Sequence, residues 1–185
     1  MPASTPRREQ IVATARSLFT ARGYDGTTVN DIASALGISK AAISYYFPAK
    51  ADFLTTLLDP LTNELAAVID EAVEAEWPTG VRHLLCDYLT ILVASADLAR
   101  WADADLALRI EDRPGATIRT LDLRLAQRIT QLSSRHVDHM RALAVIGGIW
   151  RPLHHEPPEA ITEHLDEIVD AALVSYAPLK PRKRT

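Results

Sequence analysis

Between Gly23 and Leu54 residue types and spacing together suggest a chemistry, recognition of a polyanion. Ser39 leads into Lys40, Ala41 and Ala42, and Ser44, Tyr45 and Tyr46 follow before the stop at Pro48. A helix with so small and flexible a leading end can come close to a DNA groove, where an alanine methyl meets a thymine methyl and a hydroxyl or ammonium reaches base edges. Tyr46 adds a hydroxyl, and Lys50 and Thr28 stand at helix starts, where partly positive backbone N–H groups favour phosphate. The candidate DNA contacts are therefore Thr28, Ser39, Lys40, Ala41, Ala42, Ser44, Tyr45, Tyr46 and Lys50. Against this stands plain packing of a small helical subdomain, the reading adopted for Leu36, Ile38, Ile43 and Phe47 and weighed evenly for Tyr46.

The elements that must position these residues are punctuated in the sequence. Thr5 is a suitable N-cap with Pro6 at the first helical position, and Ile11, Ala15, Leu18 and Phe19 make one apolar face. Gly23 stops that helix. After a polar turn, Thr28 caps a second helix over residues 29–36, with Ile32, Ala33 and Leu36 inward, and Gly37 ends it. Ser39 caps a third helix that runs out at Phe47 and Pro48. Two short capped helices across a glycine turn read as a helix-turn-helix, whose second helix enters the major groove. Charge agrees: residues 1–50 hold six basic and three acidic side chains, a balance of +3 in a chain whose total is −4. A basic end on an acidic body is expected where one part meets nucleic acid.

These residues resemble the DNA-binding signature of the TetR family, a class of ligand-responsive transcription regulators. The likeness is carried by Thr27-Thr28-Val29, Asp31-Ile32-Ala33, Gly37-Ile38-Ser39, Tyr46-Phe47 and Lys50, about a quarter of the chain. Two departures are Ser44, where the family often has an aromatic residue, and Ala49, where a capping serine is frequent. The resemblance implies an all-α fold of about nine helices. It further implies an N-terminal three-helix DNA-binding domain, a C-terminal ligand-binding domain and a homodimer formed by the last two helices.

The rest of the chain fits that outline. Helical spacing runs from Phe53 to Val73 with a bend at Pro60, and then over residues 81–93, 97–111, 116–132, 136–151 (closed by Pro152) and 158–176. No period-two strand or hairpin turn is found. The domains are set at 1–50 for DNA binding, 51–177 for ligand binding and dimerisation, and 178–185 for a basic, disordered tail. Within the body the resemblance implies a cavity, with Leu61, Leu65, Leu85, Tyr88, Leu92, Trp101, Leu108, Leu125 and Met140 as candidate walls for an apolar or aromatic effector. For each of them ordinary core packing is the competing reading. Asp87, Asp103 and Asp105 are equally readable as ligand-orienting or solvated groups. Ala142, Ala144, Gly147 and Gly148 allow close helix approach at a two-fold interface.

Other classes have less support. The sequence has no GxSxG elbow, HExxH pair or glycine-rich phosphate loop, so no enzyme is expected. His136 and His139 lack a third ligand and His154 and His155 point to different faces, so neither metal nor cofactor is expected. Cys86, the only cysteine, reads as a buried structural thiol. With no apolar run of roughly 18–20 residues and no secretory pattern at the start, the expectation is a cytoplasmic protein without a membrane partner. The expected partners are a pseudo-palindromic double-stranded operator, a second copy of the chain and a small effector. The alternative is a helical protein-interaction module with no DNA role.

Overall fold

The computed structural model describes residues 6–72, 78–109, 114–130, 135–174 and 176. Those residues form ten α-helices and a short 3-10 turn, with no strand among them. None of the helices described is long and apolar enough to cross a membrane. The basic tail 178–185 and Val73 lie outside the described residues. Two compact units are present: residues 1–63 with 97–119, and residues 64–96 with 120–185. The sequence reading set its domain boundaries after residues 50 and 177.

In the first unit, α1 (Pro6–Arg22) buries Ile11, Ala15 and Phe19 completely. It ends where Gly23 turns to φ +78, a backbone state that costs residues with a Cβ, and the Gly23 N–H bonds the Phe19 carbonyl at 2.8 Å. Buried Thr27 closes the turn by donating its hydroxyl to the Gly23 carbonyl at 3.0 Å. Next come α2 (Val29–Ala35), α3 (Lys40–Tyr46) and α4 (Ala51–Glu71), which belongs to this unit as far as Asn63. As expected, α4 carries Pro60 inside it.

Helix α6 (Ala96–Ala104) belongs to this unit from Asp97 onward. Asp97, Trp101 and Asp105 recur every four residues and meet α1 and its terminal turn in sequence order. The Arg16 Nε donates to Asp97 at 2.7 Å, the Trp101 ring stacks on Phe19 at 5.5 Å and 7°, and Asp105 accepts the Tyr24 N–H at 2.7 Å. The bond from Arg16 holds the Asp97 carboxyl below its usual range. Asp105 also explains why the helix expected over 97–111 stops early. Its carboxylate accepts the Ala107 N–H at 2.9 Å, a local alternative to helical pairing that favours the 3-10 turn Leu106–Arg109.

The second unit contains α5 (Thr79–Ala94), most of α7 (Pro114–Ile129), α8 (His136–His155), α9 (Pro158–Glu163) and α10 (Leu165–Val174). Its core includes Leu65, Leu85, Leu92, Leu125, Val145, Ile149, Leu153 and Val169. Gly148 lets α8 and α10 approach: a Cβ there would lie 3.1 Å from the Ala172 Cβ. On α5, Arg82 donates to Asp170 at 2.7 Å and to Asp166 at 2.8 Å. Cys86 is half-buried rather than enclosed, and burial pushes its thiol up to about 11.

Two further helix boundaries differ from expectation. Helix α8 continues through Pro152 to His155, because a proline in the last turn forgoes only one backbone bond, fully buried Leu153 anchors the extension, and Glu156 N–H closes it on the Pro152 carbonyl at 2.9 Å. The helix expected over 158–176 is broken at His164 into α9 and α10. There the Thr162 hydroxyl donates to the Pro158 carbonyl at 2.9 Å, the kind of back-bonding that bends a helix.

Candidate nucleic-acid interface

Both short helices of the motif are capped by the residues their sequence offers. The Thr28 hydroxyl accepts the Asp31 N–H at 3.1 Å, and Asp31 returns a carboxylate to the Thr28 N–H at 2.7 Å, a reciprocal capping box. The Ser39 hydroxyl accepts the Ala42 N–H at 3.1 Å. Between them Gly37 takes φ +63, and the Ile38 N–H bonds the Ala33 carbonyl at 3.1 Å.

The capping box gives a first prediction. Hydrogen bonds from the Thr28 hydroxyl and backbone hold the Asp31 carboxyl below its ordinary range. A depressed carboxyl contributes stability that is present above its unfolded value and lost as pH falls through the folded one. Thr28→Ala is expected to cost about 1 kcal/mol in urea unfolding at neutral pH. The cost should shrink in acid, where Asp31 is protonated in wild type and variant alike; a penalty independent of pH would argue against the box.

The same geometry decides which candidate side chains are available. Helix α3 turns Ile43 inward, fully buried, and Phe47 behind it at 2% exposure. Ser39, Lys40, Ala41 and Tyr45 face outward, with Tyr45 82% exposed, and Ala42, Ser44 and Tyr46 are half-buried. Tyr46 meets Tyr45 edge-on at 5.1 Å, so its packing and surface roles coexist. Thr28 is exposed, but its hydroxyl is engaged with Asp31 at 2.6 Å. Lys50 is also engaged: its Nζ donates to the Tyr24 carbonyl at 2.6 Å and sits 3.9 Å from the Tyr24 ring centre. At Ala49, where a capping serine was missed, Asp52 accepts the backbone N–H at 2.7 Å. Arg8, which sequence reasoning passed over, lies 5.1 Å above the Phe47 ring.

Residues 11–57, which contain every candidate DNA contact, match the model of "Bacterial regulatory proteins, tetR family". The chain resembles that family over about a quarter of its length. It is similar to the HTH-type transcriptional regulator EthR of Mycolicibacterium smegmatis, 35% identical over 74 residues, covering 40% of this chain and 34% of that one. It is also similar to the biofilm operon icaADBC HTH-type negative transcriptional regulator IcaR of Staphylococcus aureus, 44% identical over 43 residues and 23% of each chain. The chain thus matches about a third or less of the length of these relatives. In fold the likeness extends further: SCO3833, a TetR-family member from Streptomyces coelicolor, superposes with a TM-score of 0.71 at 21% identity, over 96% of this chain and 94% of that one.

The nine candidate wall residues are divided between the two units. Leu61, Trp101 and Leu108 lie in the first unit, and Leu65, Leu85, Tyr88, Leu92, Leu125 and Met140 in the second. All are buried except Met140, which is 59% exposed on α8. Trp101 is committed to Phe19 and, through its indole N–H at 2.9 Å, to Asp105. Tyr88 is fully buried and donates its hydroxyl to Asp122 at 2.9 Å, where the Trp150 indole also donates at 3.1 Å. Burial, reinforced by the Asp122 charge, pushes the Tyr88 phenol well above its ordinary range, so it stays a donor. Asp122 was missed because nothing in its local sequence marks it. An open cavity of about 360 Å³ in the second unit is bounded instead by Val68, Leu84, His83 and the carboxylates of Glu71 and Asp87.

Proposed function

We propose that this chain is a dimeric transcriptional repressor that reads a pseudo-palindromic operator with α3 and is released by a small effector bearing an apolar or aromatic body. The observation that carries the reading is the outward face of α3, with Lys40, Ala41 and Tyr45 exposed on a helix capped at Ser39 inside a tetR-family segment. In a helix-turn-helix the N-terminal residues of the second helix, here Lys40 and Ala41, reach base edges, and Tyr45 extends the same outward face. The sign of regulation is supported by the name of one relative, a negative regulator.

Dimerisation is supported by an apolar stripe on α8. Val137, Met140 and Leu143, three residues apart, are 40%, 59% and 40% exposed, and Val174 on α10 is 73% exposed. Ala144 and Gly147 on the same helix are exposed and small, which suits close packing against a second copy. The open cavity lined by Leu84 and Val68 supports an effector site. Release would follow from a coupling of about 1–3 kcal/mol between effector and operator.

The test is fluorescence-anisotropy binding to DNA flanking the protein's own gene, over a salt series. Specific nanomolar binding with a steep salt slope is expected, with sequence discrimination reduced in Lys40→Ala and Tyr45→Ala by about 1–3 kcal/mol per lost base contact. Binding that is absent, or insensitive to salt on every fragment, would defeat the proposal and favour a protein-interaction module.

A further inference from the structure

We infer that Asp105 is a positioning residue for DNA reading, acting through Tyr24, from which it is separated by 81 residues of chain. The inference rests on the proposed function. Tyr24 is held from both ends of its backbone by groups of opposite charge. Asp105 Oδ2 accepts its N–H at 2.7 Å, and Lys50 Nζ donates to its carbonyl at 2.6 Å while lying over its ring. Hydrogen bonds to charged groups are the shorter and stronger class, and Tyr24 is only 6% exposed, so water competes weakly for either end.

The held residue sits where the motif begins. The Tyr24 carbonyl also accepts the Thr27 N–H at 3.2 Å, forming the turn that delivers Thr28 to its N-cap position. Where Tyr24 is held therefore sets where α2 starts and, through the short turn at Gly37, how α3 is presented. The approach of Asp105 is close enough to constrain its neighbour: a Cβ on Gly23 would lie 3.3 Å from Oδ2. Asp105 itself is fixed from three sides, by Tyr24, by the Trp101 indole at 2.9 Å and by the Ala107 N–H at 2.9 Å. An asparagine has the same shape but lacks the charge, so its bond to the Tyr24 N–H is weaker, and with its oxygen toward Tyr24 and Trp101 the Ala107 N–H is left facing an amide NH2.

The test uses the full chain as wild type, Asp105→Asn, Asp105→Glu and, as a control, Leu106→Ala, a neighbour in the 3-10 turn whose side chain is 73% exposed. Thermal unfolding, hydrogen exchange of the free protein, and affinity for operator and random DNA are measured on each, well below the unfolding midpoint. In Asp105→Asn, amide exchange should rise across residues 24–46 and operator affinity should fall about tenfold. Random-DNA affinity and salt slope should stay within about twofold, because phosphate attraction depends on charge number rather than on helix orientation. Asp105→Glu should recover part of the operator affinity, and Leu106→Ala should change it little.

Operator binding by Asp105→Asn equal to wild type overturns the inference. So does a fall in operator and random-DNA affinity together, in step with a loss of folded protein. A wild type that binds no fragment specifically refutes the proposed function and the DNA-reading role with it, whereas raised exchange over 24–46 in that case still shows Asp105 holding the motif.

Discussion

Replacing Phe19 by alanine is expected to destabilise the first unit by about 3–5 kcal/mol, the usual cost of deleting a core aromatic side chain. Phe19 is fully buried and touches three other rings: Tyr24 at 5.5 Å, Phe53 at 6.0 Å edge-on, and Trp101 stacked at 5.5 Å. Phe53 in turn stacks on Phe47 at 4.1 Å, so the ring joins α1, α4, α6 and the end of α3 in one aromatic cluster. Each partner is held by its own helix and cannot collapse fully into the space left behind, which adds a cavity cost to the lost transfer energy. Domains of this size are stable by about 5–15 kcal/mol, so the variant should unfold at much lower urea. Leu106→Ala in the same unit is the control, since Leu106 is 73% exposed and should change stability by less than about 0.5 kcal/mol. A Phe19→Ala penalty below about 1 kcal/mol would mean that the cluster is not the mechanical centre of the unit.

The second large effect concerns association. Met140→Asp combined with Leu143→Asp is expected to convert the proposed dimer to a monomer by sedimentation while leaving helical circular dichroism unchanged. Both side chains are exposed within one chain, at 59% and 40%, so a charge there costs the isolated fold little but opposes burial against another copy. Operator affinity should fall by about 100-fold or more, because two linked reading heads bind with an effective concentration that one head lacks. A variant that stays dimeric would move the interface away from α8, and a wild type that is monomeric at micromolar concentration would remove it.

The legible parts of this chain were those governed by neighbours in sequence. Gly23 and Gly37 were readable as helix ends because a positive φ is a local demand, and both adopt one. Thr28 and Ser39 were readable as caps because their hydroxyls reach backbone N–H groups only three residues ahead. The outward residues of α3 followed from the same logic, once Ile43 and Phe47 were assigned to the inside. The helix break at His164 and the continuation through Pro152 were missed, since each depends on a balance between one backbone bond and packing that local pattern does not state.

By itself, then, the sequence determined the all-helical class, the helix-turn-helix and its capped register, because periodicity, caps and turn residues act over a few positions. Only the tertiary structure decided what the isolated polar residues do. Asp105, readable from sequence only as a solvated or ligand-orienting group, proves to grip Tyr24. Lys50 is folded back on that same residue. Asp122 gathers Tyr88 and Trp150, and Met140 is exposed on α8. The physical reason is common to all four: a long-range hydrogen bond or an exposed face depends on which helix surfaces meet, and that is settled by the packing of whole elements rather than by any short stretch of chain.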